Sequence, residues 1–110
     1  MAGRRKGAKP TPHVPARPPE TPARFPRLHP RFLEDLRFWV QTDPRVADRI
    51  VRLVEETTRD PRAGIGKPEP LKGEHGVWSR RITEEHRLTY RVSSEHVDFV
   101  QARFHYGRKT

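Results

Sequence analysis

The hydrophobic period of this chain changes once, and that change limits the fold more than any other feature. Apolar residues recur at helical spacing from Phe32 to Val54, then alternate from Trp78 onward. Phe32, Leu33, Leu36, Trp39 and Val40 mark one face of a helix, with Arg31, Glu34, Asp35 and Arg37 turned mainly to water. His29-Pro30 suits the entry, since proline is tolerated in a first turn. Thr42-Asp43-Pro44 stops one helix and starts another: Asp43 is a good N-cap and Pro44 a good first residue. Val46, Ile50, Leu53 and Val54 form the second stripe, which ends near Arg59-Asp60-Pro61. The pattern predicts a helix hairpin whose apolar faces must lie on the strands downstream.

Those strands follow a stiff loop, Gly64-Ile65-Gly66-Lys67-Pro68-Glu69-Pro70. Two prolines flank Glu69 and restrict the backbone around it, so its carboxylate is pre-positioned. From Trp78 to Thr83 the alternation puts Trp78, Arg80 and Ile82 on one face and Ser79, Arg81 and Thr83 on the other. Glu84-Glu85 is a turn, and Arg87 to Val92 alternates again, with Leu88, Tyr90 and Val92 inward. A last strand is expected from Val97 to His105, with Val100, Ala102 and Phe104 in the core and Gln101, Arg103 and His105 opposite. The result is an α+β fold, a helix hairpin packed on a twisted antiparallel meander. Its free face presents Arg81, Arg87, Arg103 and His105 near Glu69. Like charges facing each other across strands destabilise a sheet, so such a face asks for an anion.

Composition narrows the partner. With 110 residues, 32% of them hydrophobic, the chain has room for one domain with a small core. The net charge of +9 points to a polyanion: nucleic acid, or an acidic protein that competes with it. Residues 1–27 hold seven of the twelve prolines, seven basic residues and one acid, a net of +6. That segment buries too little to offset chain entropy and is expected to be a disordered basic tail ahead of a domain over residues 28–110. No apolar run of about 18 residues suggests a membrane span, and the basic start lacks the apolar segment of a secretory signal. A cytoplasmic protein is expected. Without cysteine there are no disulfides or thiolate metal sites, and the six histidines lack metal-ligand spacing, so neither metal nor cofactor is expected. Ser79 has no nucleophile-elbow context, and Gly64-x-Gly66-Lys67 lacks the ending of a phosphate loop.

One chemistry suits what remains. RNA can be cut by its own ribose 2′-OH, which attacks the neighbouring phosphorus and expels the 5′-oxygen. The reaction needs a base, cations for the phosphorane, and an acid. Glu69 is the candidate base, Arg81 and Arg87 the phosphate clamps, and His105 the acid; His86 lies too close to the turn to be favoured. Each also has a plainer reading. Glu69 can pair with Lys67 or Lys72 at the surface, Arg80 and Arg81 can be a solvated pair, and His105 a strand-end histidine.

Three motifs carry a resemblance. They are Gly66-Lys67-Pro68-Glu69-Pro70-Leu71-Lys72, the run Gly76-x-Trp78-Ser79-Arg80-Arg81-Ile82-Thr83-x-Glu85-His86-Arg87-Leu88-x-Tyr90, and Arg103-x-His105-Tyr106. With Asp35-Leu36-x-Phe38-Trp39 and Thr42-Asp43, they resemble the YoeB (Txe) toxins of type II toxin–antitoxin modules, in the RelE superfamily. The resemblance runs from about His29 to Tyr106. It implies a RelE-like fold and a ribosome-dependent mRNA interferase that cuts message in the A site. It carries the general base onto Glu69, the phosphate-stabilising arginines onto Arg81 and Arg87, the acid onto His105, and a supporting aromatic onto Tyr106. Lys67, Lys72, Arg80 and Arg103 are the basic positions expected to touch RNA. The partners implied are mRNA and the ribosome, an acidic YefM/Axe-type antitoxin, operator DNA through the antitoxin complex, and a second toxin copy. The alternative is a non-catalytic ribosome or RNA binder, or a repressor component, on the same fold. Where the family usually has a strand before its first helix, this chain has Phe25-Pro26-Arg27-Leu28, and Pro26 permits at most a short edge strand.

Overall fold

The computed structural model describes residues 23–104. Helix α1 spans Pro30–Thr42 and helix α2 spans Pro44–Arg59, each with proline in its first turn. Asp43 serves both: its N–H donates to Trp39 O at 2.7 Å to close α1, and its Oδ1 accepts from Arg45 N at 3.3 Å to open α2. The strands are β1 (Phe25–Leu28), β2 (Glu69–Pro70), β3 (Val77–Arg81), β4 (Arg87–Val92) and β5 (His96–Gln101). They form one five-stranded sheet in the order β1-β5-β4-β3-β2.

The expected architecture, a helix hairpin on a sheet, is present. The meander β3-β4-β5 is present too, with an added strand at each edge. β1 pairs with β5 in parallel, so the sheet is mixed. Residues 25–27, assigned by composition to the tail, belong to this edge strand, where Pro26 sits four residues from α1. Arg27 holds the edge in place with a two-pronged hydrogen bond to Asp98 on β5. That bond, more than the Coulomb attraction, draws the Asp98 carboxyl below its ordinary value of 3.8. A carboxylate with a depressed folded pKa adds stability above its unfolded value and loses it as pH falls through the folded one. Asp98→Asn should therefore lower the thermal midpoint slightly at pH 7, and the gap to wild type should close as pH drops below 3.8. Thermal unfolding followed by circular dichroism at both pH values checks this.

The core lies between the hairpin and one sheet face: Phe32 and Trp39 from α1, Ile50 and Leu53 from α2, Leu88 and Tyr90 from β4, Val97 and Phe99 from β5. Each such side chain contributes about 1.5–3 kcal/mol by leaving water. Three expectations for α1 fail. Leu33 and Val40 are 46% and 54% exposed, and Asp35 is buried. The buried stripe is Phe32-Asp35-Trp39, and a residue following Phe32 or Trp39 is turned roughly 100° away from it.

The last strand also differs. Tyr90 stands opposite Phe99, but Thr89 stands opposite Gln101, so Val100 is an extra residue on β5. The bulge reverses the alternation. Val97 and Phe99 face the core before it and Ala102 after it: of the expected Val100, Ala102 and Phe104, only Ala102 is buried. The strand ends at Gln101, and Phe104 adopts a left-handed backbone, φ +62°. His105, Tyr106 and the basic segment up to residue 22 lie outside the described residues.

Candidate active site

The loop that carries Glu69 is anchored before the acid is reached. Gly66 has φ +84°, and a Cβ there would meet Leu53 Cδ2 at 3.0 Å and Arg80 Cβ at 3.1 Å. Only glycine fits so close an approach at that backbone angle. Its carbonyl accepts from Arg81 N at 2.6 Å, tacking the loop to β3. Beneath it lies Arg80, fully buried. Its guanidinium donates to Asp60 O at 2.6 Å, Ala63 O at 2.8 Å and Ile65 O at 3.0 Å, and its Nε donates to Tyr90 Oη at 3.2 Å. Tyr90 Oη in turn donates to Pro61 O at 2.7 Å. Burial raises the Tyr90 phenol above its ordinary value of 10.0, against the smaller downward pull of Arg80, so it stays a neutral donor. Arg80 is thus the anchor of the loop, which corrects its expected contact with RNA. Alternation had placed it on the helix side, and the loop carbonyls give its charge partners there.

On the opposite face the cross-strand register brings the chemistry together. Glu69 stands opposite Ser79, Ser79 opposite Thr89, and Arg81 opposite Arg87. Directly opposed residues share a face, so Glu69, Ser79, Arg81 and Arg87 occupy one side of the sheet. Arg87 Nε donates to Ser79 Oγ at 2.8 Å, and its Nη2 lies 3.4 Å from Lys67 O and from Ser79 O. The same Nη2 is 3.7 Å from Glu69 Oε1. The exposures are unequal: the Arg87 side chain is 10% exposed and the Glu69 side chain 64%. The cation is held rigidly by its surroundings, while the carboxylate reaches into solvent at ion-pair rather than hydrogen-bond distance. Glu69 pairs with Arg87, not with Lys67 or Lys72 as the plainer reading had it. Arg81 is exposed beside this pair, as are Lys67 and Lys72.

One expected member is not at this face. Arg103 stacks its guanidinium over the Phe38 ring of α1, 3.7 Å from the centroid, and lies 4.8 Å from that of Phe104. The strand ends at Gln101, so alternation no longer sets the side on which Arg103 lies. His105 falls outside the described residues, and with it Tyr106. Two residues were missed. Ser79 orients Arg87; its signal was an alternation that put a hydroxyl between an acid and two arginines. His86 holds Phe104 N through Nδ1 at 2.8 Å, which its place beside a turn did not suggest.

A carboxylate, a fixed guanidinium and an exposed one thus share a single face. Residues 28–106, which contain all of it, match the family described as the YoeB-like toxin of bacterial type II toxin–antitoxin systems. The chain belongs to the YoeB toxin family. It is 54% identical over 78 residues to Toxin YoeB of Mycobacterium bovis, covering 70% of this chain and 92% of that protein. The YoeB dimer of Staphylococcus aureus superposes with a TM-score of 0.69 at 35% identity, covering 76% of this chain and 99% of that one. In the heterotetrameric YoeB–YefM toxin–antitoxin complex of the same organism, the matching chain gives a TM-score of 0.66 at 37% identity, with 76% and 100% covered. This YoeB-family chain is a type II toxin–antitoxin toxin, with two helices on a mixed sheet as in its relatives. Among the described residues no helix is long and apolar enough to cross a membrane.

Proposed function

We propose that this toxin is a ribosome-dependent mRNA interferase that cuts message in the A site. The observation that carries the reading is the Arg87 guanidinium, fixed by Ser79 with the Glu69 carboxylate 3.7 Å away on an exposed face. Glu69 takes the proton of a ribose 2′-OH as that oxygen bonds to phosphorus. Arg87 and Arg81 bind the non-bridging oxygens, whose charge grows in the phosphorane. His105 gives a proton to the departing 5′-oxygen, with Tyr106 in support. The products are a 2′,3′-cyclic phosphate and a 5′-hydroxyl. Lys67 and Lys72 supply contacts to the RNA backbone; Arg80 and Arg103 are left out, the donors of the first being bound to loop carbonyls and the guanidinium of the second stacked on Phe38.

The ribosome as site of action makes the protein cytoplasmic. The net charge of +9 suits an acidic YefM/Axe-type antitoxin that covers the site and competes with RNA, and the relatives' assemblies support such a complex and a toxin dimer. Operator DNA is reached only through the antitoxin complex. Mapping of message ends in cells expressing the toxin tests the function. Breaks within A-site codons are expected, and Glu69→Gln should abolish them. Stalled ribosomes on intact message would overturn the reading and leave a non-catalytic blocker.

A further inference from the structure

We propose that Asp35, Trp39 and His86 are positioning residues for the C-terminal acid, acting through a clamp on residues 102–104. The inference rests on the reading of His105 as general acid. β5 ends at Gln101, so the regular ladder does not hold the peptide groups beyond it. A chain end leaving a sheet usually frays. Here it is held at each step. Asp35 Oδ2 accepts from Ala102 N at 2.9 Å, and Trp39 Nε1 donates to Ala102 O at 2.9 Å. Two residues on, His86 Nδ1 accepts from Phe104 N at 2.8 Å, and Arg87 N donates to Phe104 O at 3.3 Å.

The bonds come from two places that matter. One is the inner face of α1, where Asp35 is buried and bonded to Arg31 Nε at 3.2 Å. A buried carboxylate is costly unless well partnered, and this one is committed to a backbone N–H 67 residues away. The other is the start of β4. Arg87 presents its side chain to Glu69 and its backbone N–H to the residue before His105. The His86 ring is edge-on to Trp39 at 5.0 Å and 5.3 Å from the Phe104 ring, so the two halves of the clamp touch. The clamp also holds Phe104 at φ +62°, a conformation that L side chains rarely adopt. A strained backbone persists where its surroundings determine it, and this one belongs to the residue next to the acid in sequence. In-line displacement needs base and acid on opposite sides of phosphorus, and an error of about 1 Å can cost about 10²-fold in rate.

The test is a cycle of variants in single-turnover cleavage on saturating programmed ribosomes. Asp35→Ala is expected to lower the rate by roughly 10- to 100-fold, with ribosome affinity changed by less than about threefold. Asp35→Asn, which keeps an acceptor oxygen for Ala102 N, should restore most of the rate. Introduced into His105→Gln, Asp35→Ala should cost no more than about twofold further, because both act through one group. Trp39→Phe keeps the ring and removes the donor to Ala102 O; it should show the same rate-only loss, and it carries the test if Asp35→Ala does not fold. A loss equally large in both backgrounds, or an unchanged rate in Asp35→Ala and Trp39→Phe, overturns the clamp. A wild-type rate in His105→Gln overturns the acid assignment itself, and the clamp's purpose with it.

Discussion

Arg87→Ala is expected to lower the single-turnover rate of RNA cleavage by about 10²–10³-fold and to leave ribosome affinity nearly unchanged. The size follows from how the side chain is held. Ser79 Oγ fixes Nε, two carbonyls flank Nη2, and the side chain is 10% exposed, so little reorganisation is needed as the phosphorane forms. Preorganised donors in partly dry surroundings act mostly on the transition state, where charge is greatest. On the proposed function, ground-state affinity comes from the exposed cations Arg81, Lys67 and Lys72. Arg87→Lys should recover little, because an ammonium cannot donate two parallel bonds. Wild-type cleavage by Arg87→Ala at saturation would contradict the role.

Arg80→Ala behaves in the opposite way: it destabilises the fold. Its guanidinium serves three loop carbonyls and Tyr90 from a fully buried position. Truncation leaves carbonyl oxygens short of a donor and opens a cavity under the loop, a loss on the order of 3 kcal/mol. For a domain this size the thermal midpoint should fall by roughly 10–20 °C. Arg80→Met, which keeps the apolar stem, should recover only part of it. Calorimetry or circular dichroism reads the change directly. An unchanged midpoint joined to weaker RNA binding would return Arg80 to the RNA-contacting set.

Arg80 and Arg81 show what a sequence carries and what it does not. Strand alternation put Arg80 on the helix face and Arg81 on the open one, and the structure agrees. The family resemblance then suggested that both meet RNA, and nothing in the sequence spoke against it for Arg80, because the partners of a buried arginine here are main-chain carbonyls, which leave no mark in side-chain pattern. Asp35 was misplaced for the same reason. Its partner is a backbone N–H brought from the far end of the domain, and a carboxylate on a helix otherwise reads as solvent-facing. The helix boundaries were legible because Pro30, Asp43 and Pro44 act locally. Arg81 and Arg87 were legible as residues of one face with the Glu69 loop near it, since alternation and a short turn set their sides; that Glu69 pairs with β3 as a strand residue opposite Ser79 was not. The bulge at Val100 was not: the adjacent apolar pair Phe99-Val100 interrupts the alternation but does not say which of the two faces the core. Phe99 does, and the strand ends before Arg103. The parallel edge strand was half legible: Pro26 limited it to an edge, but its partner β5 could not be read from spacing.

The central claim is that the ribose 2′-OH is the nucleophile and Glu69 its base. The most direct measurement uses a message on programmed ribosomes with a single 2′-deoxy nucleotide at the position that the toxin cuts. Wild-type toxin should leave that message intact, while cleaving the all-ribose message to a 2′,3′-cyclic phosphate. Glu69→Gln should leave both intact. Cleavage of the 2′-deoxy message at the all-ribose rate would contradict the account.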